Sequence, residues 1–426
     1  MKNPKPAAAL KHFAELDSKL VEVAKNIKVL RNLTWPASIA TSFLEKWSAG
    51  SSSYPLIEYP KHSYKNEVAA LKMIMEAAGT DHPLGRYIYK TARSYMTAAL
   101  MLEYVGTPAF TELSAEIYGS PRDKVWSTSI SNLEASEHFI SSTEDFRKAC
   151  PVQKEESCLM ATYVAAELQK AITPFFHKHK VEVVVDPELA SKAAAAANRI
   201  RIRNFTCFSQ MDIPQLLHHE AFVHTLTMLN GKEQPYLKSM SLGAPRTTRT
   251  QEGLALFAEF ITTSIDINRL RRIALRVKAI DMAMQGADFI EIFKFFMDSD
   301  QGEVESFQSA ARIFRGGDVR GRSVFTKDSV YLEGLMYIHS FLHKAIHSGK
   351  IDYPHRLMAG RLTFSDVVEL EEFFDSGFIA PPLYEPTWIT QRECLTAFLS
   401  YSVFSHRIDL NAVELKDFKL HDRISD

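Results

Sequence analysis

Residues Leu216 to His224 read LLHHEAFVH, and within them His219, Glu220 and His224 spell His-Glu-x-x-x-His in an apolar segment of helical character. Two neutral imidazoles suit zinc; a catalytic zinc takes three protein ligands and leaves a fourth position to water, toward which the intervening glutamate can act as base. The familiar signature, HExxH, is one residue shorter and sets its histidines at i and i+4 on one helix face. Here the spacing is i to i+5, which on a regular helix separates the two side chains by roughly 140°. Binding one ion therefore requires the extra residue to be absorbed, most simply by a π-bulge. The competing reading is a buried helix in which Glu220 and His224, four residues apart, pair with each other. Asp212 and Gln215 resemble a capping box, Pro214 is tolerated in a first turn, and Asn230-Gly231 reads as a stop, so the motif is expected on one helix of about 17 residues.

A third ligand comes from a later stretch. TQEGLALFAEFITT, Thr250 to Thr263, begins with a threonine suited to N-capping and continues as an apolar helix. Glu252 falls in its first turn, and Glu259, seven residues on, lies on the same face. Gly253 is costly inside a helix and makes sense where another helix approaches closely. A carboxylate from a second helix is how sites with two histidines and one glutamate are completed, and Glu259 is then placed to orient a ligand histidine.

HEAFVH followed by QEGLALFAEF resembles the QEGLA-motif family, flavohaemoglobin expression-modulating QEGLA motif proteins, whose eukaryotic relatives are microtubule-associated tyrosine carboxypeptidases, zinc enzymes that remove the C-terminal tyrosine of tubulin. The resemblance runs from about Ala69 to about Gly349 and takes in VGTPAF, IYGSPRD, NGKEQP and FTKDSVYLEG. It implies that His219, His224 and Glu252 bind zinc and that Glu220 is the catalytic base. The carboxypeptidase assignment is likewise what the resemblance implies.

Composition excludes several classes. With 46% hydrophobic and 24% charged residues, a net charge of −1 and a pI near 7.0, the 426-residue chain is an ordinary soluble protein without the field that draws nucleic acid or anionic membranes. The start, MKNPKPAAALKHFAEL, has charges and prolines where a signal peptide needs an apolar core, and no apolar run approaches the roughly 20 residues that span a bilayer, so a cytoplasmic location is expected. Cys150, Cys158, Cys207 and Cys394 form no CxxC pair and are read as free buried thiols.

Along the chain, Leu10, Phe13, Leu16, Leu20, Val23, Ile27 and Leu30 mark one stripe of a helix from Ala7 to Leu30. Lys65 to Ala78 and Arg86 to Tyr104 are further helices, and residues 1–150 read as a helical N-terminal region packed on a catalytic region, 151–426. Leu159 to Phe176 is helical, VEVVVDP (Val181 to Pro187) is a strand, and Glu188 to Asn198 is a short alanine-rich helix. RIRIRNFTCF, Arg199 to Phe208, reads as an exposed edge strand able to hold an extended peptide, or as a plain solvated strand. Asn268 to Met284, Ala287 to Met297, Glu303 to Phe314, Lys327 to His347 and Thr387 to Val403 complete the helices. The fold class expected is α+β, mainly helical, with a zincin-like metallopeptidase core and a small sheet.

A carboxypeptidase needs a cation for the substrate's terminal carboxylate and a donor for the oxyanion. Arg320 and Arg322, in the glycine-rich loop Arg315 to Phe325, and Lys327 are the candidates for the first. Tyr331, four residues after Lys327 on the same helix face, is the candidate for the second. His339, His343 and His347 recur every four residues but lack a carboxylate or cysteine partner and read as a polar face. His218 points about 100° away from His219. The function expected is a zinc metallopeptidase acting on a peptide or protein C-terminus, releasing tyrosine or another aromatic residue. The alternatives are a zinc hydrolase of a non-peptide amide and a low-turnover regulatory or scaffolding protein.

Overall fold

The computed structural model describes residues 8–126, 128–149, 158–189, 191–405, 407–409, 412 and 414. It is mainly helical with one three-stranded sheet, the coarse form of the expected class. The N-terminal stripe forms a helix, Ala8–Ala24, that buries Phe13, Leu16 and Leu20 against the helices Lys65–Ala78 and Pro83–Glu103. It ends earlier than its periodicity suggests: the chain turns at Lys25 and Asn26, a short helix covers Val29–Leu33, and Leu30 is exposed while Ile27 and Leu33 are buried. The C-terminal segment is likewise divided at Gln391, into Thr387–Thr390 and Arg392–Ser405, with Trp388 buried in the core.

The sheet corrects two expectations. Strands β1 (Glu182–Asp186), β2 (Ala193–Ala195) and β3 (Arg199–Arg203) lie in the order β1-β3-β2, with β3 parallel to β1 and antiparallel to β2. Arg199–Arg203 is therefore the centre of the sheet, and both its edges are already paired, so it cannot add a peptide strand. Its arginines alternate with Ile200 and Ile202, which are buried. The alanine run expected as helix supplies the edge strand instead, because Ala193 to Ala195 find ladder partners in Ile202, Arg201 and Ile200, and tertiary pairing overrides alanine's helix propensity.

A disulfide joins Cys158 to Cys207, where two thiols were expected, with Cα atoms 5.0 Å apart. The neighbouring residues explain the approach: Leu159 and Phe208 form an antiparallel bridge that sets the two segments side by side. Cys394 is free but exposed, and Cys150 lies outside the described residues.

One large apolar cluster links the N-terminal helices, the sheet and the helices bearing the histidine and QEGLA motifs. A second gathers Phe289, Phe293, Phe296, Phe307 and Phe314 around Trp35 and Phe43. Among the described residues, no helix is long and apolar enough to cross a membrane.

The N-terminal helix is tied to the core by a buried carboxylate. Asp17 Oδ2 accepts the Ser239 amide at 3.0 Å and Oδ1 accepts the Ser239 hydroxyl, which also meets the Tyr87 hydroxyl at 2.9 Å. Burial pushes the Asp17 carboxyl up from 3.8 to about 6, against the opposing effect of the Ser239 bonds. Between pH about 4 and 6 the unfolded chain releases a proton that the folded chain keeps, so this group's contribution falls as pH rises through that window and is flat above it, a change of about 3 kcal/mol. Asp17→Asn is expected to gain on the wild type by up to that amount between pH 4 and pH 7 in denaturant unfolding. A difference independent of pH would contradict the buried, protonating carboxyl.

Candidate metal centre

The motif helix begins where Ser209 and Asp212 cap each other: Asp212 N donates to Ser209 Oγ at 3.1 Å and Ser209 N to Asp212 Oδ2 at 2.8 Å. The reciprocal cap thus lies three residues before the expected Asp212 and Gln215 pair, and Asp212 also holds Lys192 at 2.8 Å. The helix runs Asp212–Leu216, then nine residues of π-helix, Leu217–Thr225, then Leu226–Glu233. Bonds from i to i+5 bring residues five apart onto one face, which is what His219 and His224 require. Their rings lie 4.8 Å apart at 89°. Gly231 does not stop the helix; a Cβ there would sit 2.2 Å from Met240 O, so glycine permits a close chain contact instead.

The QEGLA helix, Thr248–Ile261, starts two residues before the expected cap, and Thr250 is buried within it. At Gly253 it crosses the helix Val330–His347: a Cβ on Gly253 would lie 2.3 Å from the backbone of Gly334, so the two helices touch through glycine. That crossing sets Glu252 between the histidines and the 3-10 turn Thr326–Ser329. Glu252 Oε2 lies 3.5 Å from His219 Nε2 and 3.5 Å from His224 Nε2, while Oε1 accepts Lys327 Nζ at 2.9 Å. His219, His224 and Glu252 form a group whose ligand atoms all lie within 4.8 Å of one another.

This donor set fits a zinc ion. Tetrahedral ligands 2.0–2.1 Å from zinc stand about 3.3–3.4 Å apart, and Glu252 Oε2, buried and without a hydrogen-bond donor, faces both Nε2 atoms at 3.5 Å. Behind His219, the fully buried Glu259 accepts Nδ1 at 2.7 Å, which leaves Nε2 free to ligate. Glu259 is itself held by Gln215 at 3.0 Å and by Arg269 at 2.9 and 2.8 Å. Burial, the largest influence, disfavours the Glu259 charge, but Arg269 and His219 outweigh it and hold the carboxyl at about 2. Glu252 is likewise opposed by burial but held well below the usual range by Lys327 and the two histidines.

Glu220, next to His219 on the π-segment, is partly exposed. Lys327 reaches the centre by gripping Glu252, and its ammonium lies 5.1 Å from the Tyr331 ring centroid. Arg320 and Arg322 do not reach it. Arg320 is exposed and paired with Asp318 at 2.6 Å, and the Arg322 amide bonds Ala283 O at 2.8 Å. Ala283 follows Arg269 by fourteen positions on the helix Ile267–Gln285, about 21 Å along its axis. Arg320 and Arg322 were credible from charge alone, but the loop docks Arg322 at the far end of that helix. His339 bonds Ser402 Oγ at 2.9 Å, away from the group.

Sequence reading missed Arg269 and Arg361. Arg269 sits in the first turn after Asp266, whose carboxylate caps that helix, but nothing in the spacing ties it to Glu259. Arg361 stands where Glu252 and Glu220 act on it through space, and its Nε is buried without a partner. Its loop is fastened to the motif helix by Asn230, which donates to Met358 O at 2.7 Å, and by Gln234, which donates to Ala359 O at 2.9 Å.

The fold and the site define a mainly helical α+β protein with a two-histidine, one-glutamate candidate metal centre built on a π-helix. A family model described as microtubule-associated tyrosine carboxypeptidase matches residues 42–407, most of the chain, and the chain belongs to that family. No curated protein matches it.

Because Gly253 touches Gly334 backbone to backbone, Gly253→Ala must push the helices apart beside Glu252. Overpacking of this kind costs about 1–3 kcal/mol or more, and a lowered melting temperature is expected. An unchanged melting temperature would show that the helices can separate freely.

Proposed function

We propose that the chain is a zinc-dependent carboxypeptidase that releases a C-terminal residue, tyrosine or another aromatic one, from a peptide or protein. The observation that carries this reading is the convergence of His219 Nε2, His224 Nε2 and Glu252 Oε2 on one point beside Glu220. Membership in a family described as tyrosine carboxypeptidases supports the reaction class.

His219, His224 and Glu252 would hold the ion. Zinc bound there supplies Lewis acidity, which acidifies water and polarises the scissile carbonyl. Glu220 takes the proton of the attacking water and delivers it to the leaving amine. Glu259 keeps His219 in the tautomer that presents Nε2, and Arg269 keeps Glu259 ionised. Lys327, buried against Glu252, offsets the charge of that carboxylate, so its part is to position Glu252 rather than to grip the substrate. Tyr331 is the donor proposed for the oxyanion.

The test combines metal content with hydrolysis of peptides bearing free or amidated C-termini. About one zinc per chain is expected, lost in His219→Ala and Glu252→Gln. Glu220→Gln should keep its zinc and lose on the order of 10²–10⁴ in kcat. Release of the terminal residue from the free peptide alone supports a carboxypeptidase. A wild type that takes up no zinc, or one that cleaves amidated peptides internally, would overturn the reading.

A further inference from the structure

Around Tyr331 lies a group of cations of which the reaction as described uses only Lys327 and Arg269. Arg269, Arg276, Arg312, Arg315 and Lys327 all lie within electrostatic range of Tyr331. Three of these five have a carboxylate of their own: Lys327 holds Glu252, Arg269 holds Glu259, and Arg312 grips Asp328 with two bonds of 2.5 and 2.9 Å. That leaves two, Arg276 and Arg315. Arg276 Nε comes no closer than 3.8 Å to Asp328, which Arg312 already occupies, and the Nε atoms of Arg276 and Arg315 are both buried without a hydrogen-bond partner. Arg315 lies over the Phe325 ring at 5.2 Å, an apolar floor that offers no anion. Burial, with Arg312 next, depresses both guanidinium groups, Arg276 to about 9 and Arg315 to about 10, as expected of cations short of counter-charge.

This surplus is joined to the metal centre by a short path. Lys327 Nζ is 2.9 Å from Glu252 Oε1 and 5.1 Å from the Tyr331 ring, and Tyr331 Oη is 3.4 Å from Arg312 Nη2. Arg276 joins this path through Asp328, which Arg312 grips, and Arg315 stands over Phe325, two residues before Lys327. Buried guanidinium nitrogens without a hydrogen-bond partner are costly and collect at functional sites, and the planar fork of a guanidinium matches a carboxylate.

We propose that Arg276 and Arg315 form the subsite that binds a carboxylate of the peptide substrate. Its place beside the metal rests on the carboxypeptidase reading; its affinity for a carboxylate does not. Two parts of a peptide carry that chemistry, the terminal carboxylate and an acidic side chain near it.

The test is fluorescence anisotropy on the full chain carrying Glu220→Gln, so that peptide is not consumed. The probes are fluorescein-labelled decapeptides ending in tyrosine: the free acid, its C-terminal amide, and versions with glutamate or glutamine at the two preceding positions. At least one charged probe is expected to bind about tenfold or more tighter than its neutral counterpart. Preference over the amide assigns the terminal carboxylate, and preference over the glutamine peptide assigns the side chain. Arg276→Gln and Arg315→Gln should each erase that preference and leave the neutral peptide's Kd unchanged. Equal weakening of charged and neutral probes, or a preference intact in both variants, would overturn the subsite. Should the glutamine variants unfold, Arg276→Lys and Arg315→Lys keep the charge but lose the fork: a preference reduced about threefold supports the subsite, and an unchanged one overturns it. Hydrolysis by the wild type with a charge preference indifferent to both arginines removes the subsite and leaves the hydrolase. Carboxylate binding lost in both variants, in a chain that takes up no zinc, removes the hydrolase and leaves the subsite.

Discussion

The five-residue step from His219 to His224 constrains everything around it. A regular helix would send the two rings apart, so the backbone must accept i to i+5 bonding, a poorer geometry than its neighbours have. The π-segment persists because its flanks are committed. Ala221, Val223, Leu226 and Leu229 are buried, Thr225 Oγ1 bonds Ala196 O beside the sheet, and Asn230 is held by Met358, Leu383 and Tyr384. Slipping back to regular helix would rotate these contacts along with the histidines. The core thus stabilises the irregular register that the convergence needs.

Charge organises the second layer. Glu259 and Asp328 are buried carboxylates and Glu252 is a largely buried one, and each is matched by a cation from another segment: Arg269, Arg312 and Lys327. A carboxylate taken from water is costly unless paired and hydrogen-bonded, and removing one partner leaves the other stranded. Tyr331 meets Arg312 at 3.4 Å and lies under the Lys327 ammonium at 5.1 Å, and His219 stands between Glu252 and Glu259, so the three pairs form one network. Substitutions within it should be strongly non-additive.

What the sequence made legible follows from distance along the chain. His219, Glu220, His224, Glu252 and Glu259 lie on two short stretches whose helical spacing can be counted, and the structure brings all but Glu220 into direct contact with the centre or its supports. The need for a π-turn was readable because five residues do not fit a 3.6-residue turn. Lys327 and Tyr331 were found from one i to i+4 pair, but Arg320 and Arg322 were not separable from Arg269, since only tertiary packing decides which basic residues reach the centre. The same limit applies to β2, where alanine's local preference gave way to pairing with β3, and to Cys158 and Cys207, whose approach depends on a bridge between segments 49 residues apart.

The QEGLA helix does two jobs with one face. Glu252 presents a carboxylate to the two histidines, and Glu259, seven residues further on, braces His219 from behind. A ligand and the support of another ligand therefore share one rigid body. Rotation of that helix about its axis would disturb both together, while at Gly253 its backbone already touches Gly334 and cannot move closer. Two glycines, one on each helix, thus fix the depth at which Glu252 meets His219 and His224. In this arrangement the glycine in the motif matters as much as the glutamate before it: the glutamate supplies the oxygen, and the glycine decides where that oxygen is.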